Sequence, residues 1–174
     1  MNCAVFLDRD GTINYDYGYV HEIKKFRFLP NAASALKRLS SSKYKIIVIT
    51  NQSGIGRKYF TEQDFLKVSG HMVGELHKKD VRIDAIYCCP HAPDANCTCR
   101  KPKTAMLFSA KKDFNIALNK SFVIGDKLED IEMGKKAGCK TMLITNGVKE
   151  KNSNANFNAK DLLEAAKYIL DVKA

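Results

Sequence analysis

The chain has 174 residues, 45% hydrophobic and 28% charged, which fits one globular domain over residues 1–174 with one sizeable core. No apolar run approaches transmembrane length, and Cys3–Leu7 is too short for a signal peptide, so a cytoplasmic protein with no membrane partner is expected. The formal charge of +10 points to anionic partners, yet the lysines are scattered along stretches such as "SAKKDF" and "MGKKAG" instead of forming a basic stripe with interleaved aromatics; a small anionic molecule is expected, not nucleic acid, and the chain is read as a monomer.

In chain order, "CAVFL" (3–7) reads as a first strand. "NAASALKRLSS" (31–41) has helical spacing, with Asn31 as N-cap just after Pro30. "KIIVIT" (45–50) is a nearly continuous β-branched run, the pattern of a parallel strand covered on both faces. A long amphipathic helix (61–79) follows, opened by Thr61 with Asp64 three residues on, close to a capping box. Then come a strand at 83–88, a helix at 104–114, a strand at 121–125, a helix at 128–138, a strand at 140–145, a polar loop "KEKNSNANFN" (149–158) and a closing helix at 159–171. This alternation predicts an α/β fold: an open, Rossmann-like, mostly parallel sheet with helices on both faces. In such sheets ligands bind beyond the carboxyl ends of the strands.

Chemistry collects at those ends. Asp8 and Asp10 follow the first strand, Thr50 to Ser53 the second, Arg100 and Lys101 the third and its loop, and Asp126 and Lys127 the fourth. Three carboxylates on one rim call for a divalent cation, and hard oxygen ligands suit Mg²⁺. Thr50 and Asn51 offer donors to a phosphoryl group, Lys101 a point charge and Arg100 a planar fork. A carboxylate at Asp8 can act as nucleophile and form an aspartyl-phosphate. Asp10 can give a proton to the leaving oxygen and later take one from water. Side chains at Asp8 and Asp10 alternate along the strand, so a sharp turn at Gly11 is needed to bring Asp10 over the same phosphorus, its backbone carbonyl to the metal and its carboxyl free. Alone, "DRDG" reads as a turn, because Asp-Gly favours one; the recurrence of such groups at successive strand ends carries the reading.

Of six cysteines, Cys88, Cys89, Cys97 and Cys99 crowd together, which in a cytosolic chain favours a metal site over a disulfide framework. Cys89 and His91 are two apart, as are Cys97 and Cys99, so two knuckles can close a tetrahedral, structural zinc site. Cys88, Cys3 and Cys139 are expected in the core, and His71 and His77 at the surface or in packing. The loop leads straight into Arg100-Lys101-Pro102, which it would pin.

The motifs "FLDRDGTIN", "VITNQSG", "RKP" and "VIGDKLED" resemble those of the haloacid dehalogenase (HAD) superfamily of aspartate-nucleophile phosphatases, in order and across nearly the whole chain. The resemblance implies Mg²⁺ dependence, with Asp8 as nucleophile, Asp10 as acid/base, Thr50 and Lys101 on the phosphoryl group, and Asp126 completing a metal site with Asp8 and Asp10. No insertion large enough for a cap domain is visible, so a capless type is implied. "CPH…CTCRKP" is similar to the histidinol-phosphatase-like branch, and "INYDYGYVHE" and "TNQSGIGRKYFTEQDF" to its members acting on heptose 1,7-bisphosphate. That implies removal of the 7-phosphate, a step toward surface polysaccharide, with Asp16, Tyr17, Gly18, Tyr19, Thr50, Asn51, Gln52, Ser53, Arg100, Lys101 and Lys127 lining the substrate site. Histidinol phosphate is the rival substrate, and a basic zinc-bearing nucleic-acid binder the rival of another class. "KTAM" after "RKP" departs from the "xPGM" of the heptose branch, leaving open which sugar or anomer fits.

Overall fold

The computed structural model describes residues 1–148 and 153–171. Among them a six-stranded sheet runs in the order β3-β2-β1-β4-β5-β6, every neighbouring pair parallel. The strands are β1 (Ala4–Leu7), β2 (Lys45–Asn51), β3 (Ala85–Cys89), β4 (Phe122–Gly125), β5 (Lys140–Ile144) and β6 (Phe157–Ala159). The helices are α1 (Ala32–Ser40), the single turn α2 (Ser53–Gly56), α3 (Glu62–His77), α4 (Ala105–Phe114), α5 (Leu128–Lys136) and α6 (Leu162–Asp171).

Strand side chains alternate between two cores, as the pleat requires. Val5, Leu7, Ile46, Val48 and Ile124 pack with Leu36 and Leu39 of α1, Val68, Met72 and Leu76 of α3, and Ile169 of α6. Ala4, Phe6, Ile47, Ile49 and Val123 pack on the other face with Met106, Leu107 and Ala110 of α4 and Met133 of α5. Helices thus cover both faces, which explains the nearly continuous apolar run of β2. The chain leaves β1 toward β2 on one side and returns to β4 on the other, so the strand order reverses between β1 and β4. The loops after these two strands part there and leave a crevice.

The capping box of α3 forms as expected: Thr61 Oγ1 accepts from the Asp64 N–H at 3.2 Å, and Asp64 Oδ2 accepts from the Thr61 N–H at 3.0 Å. Three local expectations are corrected. Asn31 sits at φ +64° and makes no side-chain bond to α1; its amide donates instead to Asp161 Oδ2 at 3.0 Å, tying α1 to the start of α6. Within the segment read as loop over 149–158, Phe157 and Asn158 join Ala159 in β6, beside Met142–Ile144; residues 149–152 lie outside the described residues. The closing helix consequently starts at Leu162, not at 159, with Asp161 Oδ1 accepting from the Glu164 N–H at 2.9 Å.

Composition hid β6 because side-chain hydrogen bonds, not an apolar run, anchor it. Asn156 Oδ1 accepts from the Thr141 N–H at 2.8 Å and from the Thr141 hydroxyl at 3.1 Å. Phe157 then stacks on Tyr168 at 4.2 Å. Thr141 is fully buried, so Asn156→Ala leaves two donors unsatisfied and should lower stability by about 1–3 kcal/mol. A urea melt followed by circular dichroism reads this directly; an unchanged midpoint would show that the bonds contribute nothing.

Candidate active site

The end of β1 sets the floor of the crevice. Asp8 continues the strand, its N–H donating to the Ile124 carbonyl at 3.0 Å, and it is only 6% exposed. The chain then turns: Ile13 N–H donates to the Arg9 carbonyl at 2.8 Å and Gly11 N–H to the Asn14 carbonyl at 2.7 Å. Gly11 holds φ +87°, and a Cβ there would lie 2.2 Å from Asp126 Oδ2. Only glycine lets the β1 turn come this close to the carboxylate after β4.

Lys101 arrives from the loop after β3 and is 2% exposed. Its ammonium reaches Asp8 Oδ1 at 2.8 Å, Asp130 Oδ1 at 2.7 Å and the Ile49 carbonyl at 3.1 Å, which uses all three of its donors. Asp130, in the first turn of α5 and 1% exposed, also accepts from the Lys127 N–H at 3.2 Å. Burial pushes the Asp8 carboxyl up to about 6 against the pull of Lys101, with the Asp130 charge adding to the rise. Asp126 is pushed up to about 6 by burial and then by the Asp8 charge. Burial alone would lower Lys101, but the charges of Asp130 and Asp8 outweigh it and hold the ammonium protonated.

Oxygens of Asp8, Asp126 and Asp130 lie within 4.8 Å of one another. Lys101 occupies one oxygen of Asp8 and one of Asp130, whereas Asp126 Oδ1 is buried with no partner among the described residues. This donor set, hard oxygens with an orphaned buried carboxylate oxygen, fits a divalent cation such as Mg²⁺. Asp10 was expected to keep its carboxyl free. It does stay out of the acidic cluster, but the carboxyl is held: it accepts from Arg9, from Asn14 Nδ2 at 2.9 Å and from Gln52 Nε2 at 2.8 Å.

Asp8, Asp10, Asp16, Gly18, Tyr19, Asn51, Gln52, Ser53, Arg100, Lys101 and Lys127 line one cleft, joined by Glu129. At its mouth Lys127 Nζ meets Asp16 Oδ2 at 3.1 Å. Asp16 is held below its ordinary value, against its own burial, by the Gly18 N–H and by Lys127. Arg100 keeps a buried Nη1 without a partner among the described residues. Two expected residues stand apart from the lining. Thr50 is 1% exposed and its hydroxyl accepts from Gln52 Nε2 at 2.9 Å, while Tyr17 is 61% exposed and stacks on Tyr15.

The Cys/His loop converges as its spacing suggested. Cys89 Sγ lies 3.6 Å from His91 Nδ1, 3.6 Å from Cys97 Sγ and 3.0 Å from Cys99 Sγ, and His91 Nδ1 lies 3.2 Å from Cys99 Sγ. Thiolates about 2.3 Å from a tetrahedral zinc would sit slightly farther apart, so the four atoms form a contracted version of that cage. Cys88 lies outside the cluster, half-buried, while His71 packs edge-on against Phe26 at 5.8 Å.

Four residues of the site escaped the reading of the sequence. Asp130 and Glu129 lie in "VIGDKLED" at the start of a helix, where acids are common because they face its N-terminus; the spacing of Asp126 and Asp130, four residues apart, was the available signal. Arg9 and Asn14, buried beneath Asp10, carried none. The close approach at Gly11 supplies a test. Gly11→Ala should destabilise by about 1–3 kcal/mol more than Gly18→Ala, which shares a positive φ but has open space around it. Denaturant midpoints of the two variants decide it, and equal losses would mean that the contact with Asp126 yields freely.

The HAD-hydrolase-like family model matches residues 98–171. Over the full chain there is 41% identity to the D-glycero-beta-D-manno-heptose-1,7-bisphosphate 7-phosphatase of Pasteurella multocida, covering 100% of both proteins. The enzyme of that name from Escherichia coli K12 is 43% identical over 81% of this chain and 78% of its own. The D,D-heptose 1,7-bisphosphate phosphatase of B. bronchiseptica, crystallised with magnesium and phosphate, superposes with a TM-score of 0.91 at 29% identity, covering 99% of this chain and 100% of that one. With relatives this similar along its whole length, the chain belongs to the HAD-like hydrolase family and is a phosphatase.

Proposed function

We propose that the protein hydrolyses the 7-phosphate of D-glycero-D-manno-heptose 1,7-bisphosphate through an aspartyl-phosphate on Asp8, in the supply of heptose for surface polysaccharide. The observation that carries this is the buried Asp8–Lys101 pair at the floor of a cleft whose rim adds Arg100 and Lys127, in a chain 41% identical end to end to an enzyme of that name. One phosphoryl group needs fewer cations than this cleft offers; a bisphosphate uses them.

The chemistry follows from the side chains. Asp8 attacks phosphorus with the oxygen that Lys101 does not hold. Lys101 and Asn51 take the phosphoryl oxygens, Lys101 by exchanging one of its three protein contacts, and Thr50, set back from the lining, holds Gln52 beside them. Asp10 gives its proton to the C7 oxygen as the P–O bond breaks, then accepts one from the water that attacks the aspartyl-phosphate, releasing inorganic phosphate and restoring Asp8. Mg²⁺ held by Asp8, Asp126 and the Asp10 carbonyl would neutralise charge on the transferring group. Asp16, Gly18, Tyr19, Gln52 and Ser53, with Tyr17 beside them, would meet the sugar. Zinc on Cys89, His91, Cys97 and Cys99 would brace the loop. The free thiols suit a reducing cytoplasm, no helix among the described residues is long and apolar enough to cross a membrane, and a monomer suffices for the cleft.

Side-by-side kinetics at saturating Mg²⁺ test the substrate. The specificity constant for the heptose bisphosphate should exceed that for histidinol phosphate at least about tenfold, roughly 1.4 kcal/mol of transition-state binding. Arg100→Ala should narrow that gap, and Asp8→Asn should abolish turnover while its circular dichroism spectrum stays that of a folded chain. Equal or reversed preference would replace the substrate while leaving the phosphatase. Elemental analysis of protein purified without added metal should find about one zinc per chain. Full metal content in Cys97→Ser or Cys99→Ser would move the site elsewhere.

A further inference from the structure

Beneath Asp10 lies a guanidinium with no exposure at all. Arg9 is 0% exposed, stands outside the cleft lining, and packs its Cζ 5.5 Å from the centre of the Phe65 ring. Removing such a charge from water costs several kcal/mol before its partners compensate. Its partners are specific. Nε donates to Asp10 Oδ2 at 3.1 Å and Nη2 to Asp10 Oδ1 at 3.1 Å, a two-pronged contact that defines the plane of the carboxyl. Nη2 also donates to the Val20 carbonyl at 2.8 Å. Asn14, equally buried, repeats the pattern: its amide donates to Asp10 Oδ1 and to the Tyr15 carbonyl, both at 2.9 Å. The two residues thus bind the same carboxyl and the two ends of the segment Tyr15–Val20, whose Asp16, Gly18 and Tyr19 face the cleft.

We infer that Arg9 and Asn14 are positioning residues that fix the plane of the Asp10 carboxyl and its register with the substrate-facing segment. The inference rests on the reading of Asp8 as nucleophile and Asp10 as acid/base. Neither residue lines the cleft. Loosening the clamp therefore impairs the two proton transfers and spares the attack of Asp8 on phosphorus.

The leaving group separates these effects. p-Nitrophenolate departs without protonation, so formation of the aspartyl-phosphate from p-nitrophenyl phosphate needs no acid, whereas its hydrolysis still needs Asp10 as base. In Arg9→Lys, which keeps the charge but loses the fork, single-turnover release of p-nitrophenolate with enzyme in excess should stay within about threefold of wild type, while steady-state turnover of either substrate falls at least about tenfold. Phosphorylated chain should accumulate by intact mass. Parallel loss of both rates, or loss of neither, overturns the assignment. If Arg9→Lys does not fold, Asn14→Ala, which removes one donor from the same carboxyl, is read by the same split. Phosphate found on a residue other than Asp8, or an Asp8→Asn chain that becomes phosphorylated, would instead overturn the nucleophile assignment beneath it.

Discussion

Three acidic side chains converge beside a single buried ammonium, and the site is organised by that convergence. Asp8 comes from the end of β1 and Asp126 and Asp130 from the junction of β4 and α5, and each is raised by burial and by its neighbours' charge. Lys101 makes the arrangement tolerable by bonding Asp8 and Asp130 at once while capping the Ile49 carbonyl. Removing one partner from a buried pair of this kind costs about 3–5 kcal/mol, because a charge is left alone in low dielectric. The same pairing orients Asp8. Its Oδ1 is held by the lysine and by the Arg9 N–H, both at 2.8 Å.

A cation that matters this much must be delivered accurately by a loop, and the loop is short of apolar residues to pack. The Cys/His cluster and the backbone supply what the core does not. Gln52 N–H donates to the Cys89 carbonyl and Gly56 N–H to the Pro90 carbonyl, both at 2.8 Å. The Asn51 side chain accepts from the Lys101 N–H at 3.1 Å. A Cβ on Gly56 would lie 2.5 Å from the Ala92 nitrogen, which shows how tightly α2 sits on this loop. The two segments that would hold the phosphoryl group are therefore braced against each other, and the geometry of one is transmitted to the other.

Across the cleft the segment Tyr15–Val20 is built differently. It is largely exposed, turns through Gly18 and Tyr19 at positive φ, and is tied down at its ends by Arg9 and Asn14 and at its middle by the Asp16–Lys127 pair. Few buried apolar contacts hold it, the condition under which a segment opens most readily. The floor of the cleft is buried and its rim lightly held, and no separate cap covers it among the described residues.

Periodicity determined the α/β class, five of the six strands to within two residues, and both faces of helices, because apolar runs report burial directly. Strand-end position determined Asp8, Asp10, Asn51, Lys101 and Asp126, because parallel sheets bring their carboxyl ends to one edge whatever the intervening sequence. Ligand spacing determined the Cys/His cluster, because two short knuckles leave little freedom. What tertiary structure alone decided are contacts between residues that carry no local pattern. β6 is joined to β5 by backbone pairing and by one asparagine side chain bonded to Thr141, so no hydrophobic run announced it. Asn31 bonds Asp161, 130 positions away, instead of capping its own helix. Asp130 pairs with a lysine delivered by another loop, and Arg9 is buried under the residue next to it. Side-chain partners of this kind are chosen by the packing of distant segments, and only the folded chain brings them within hydrogen-bonding distance.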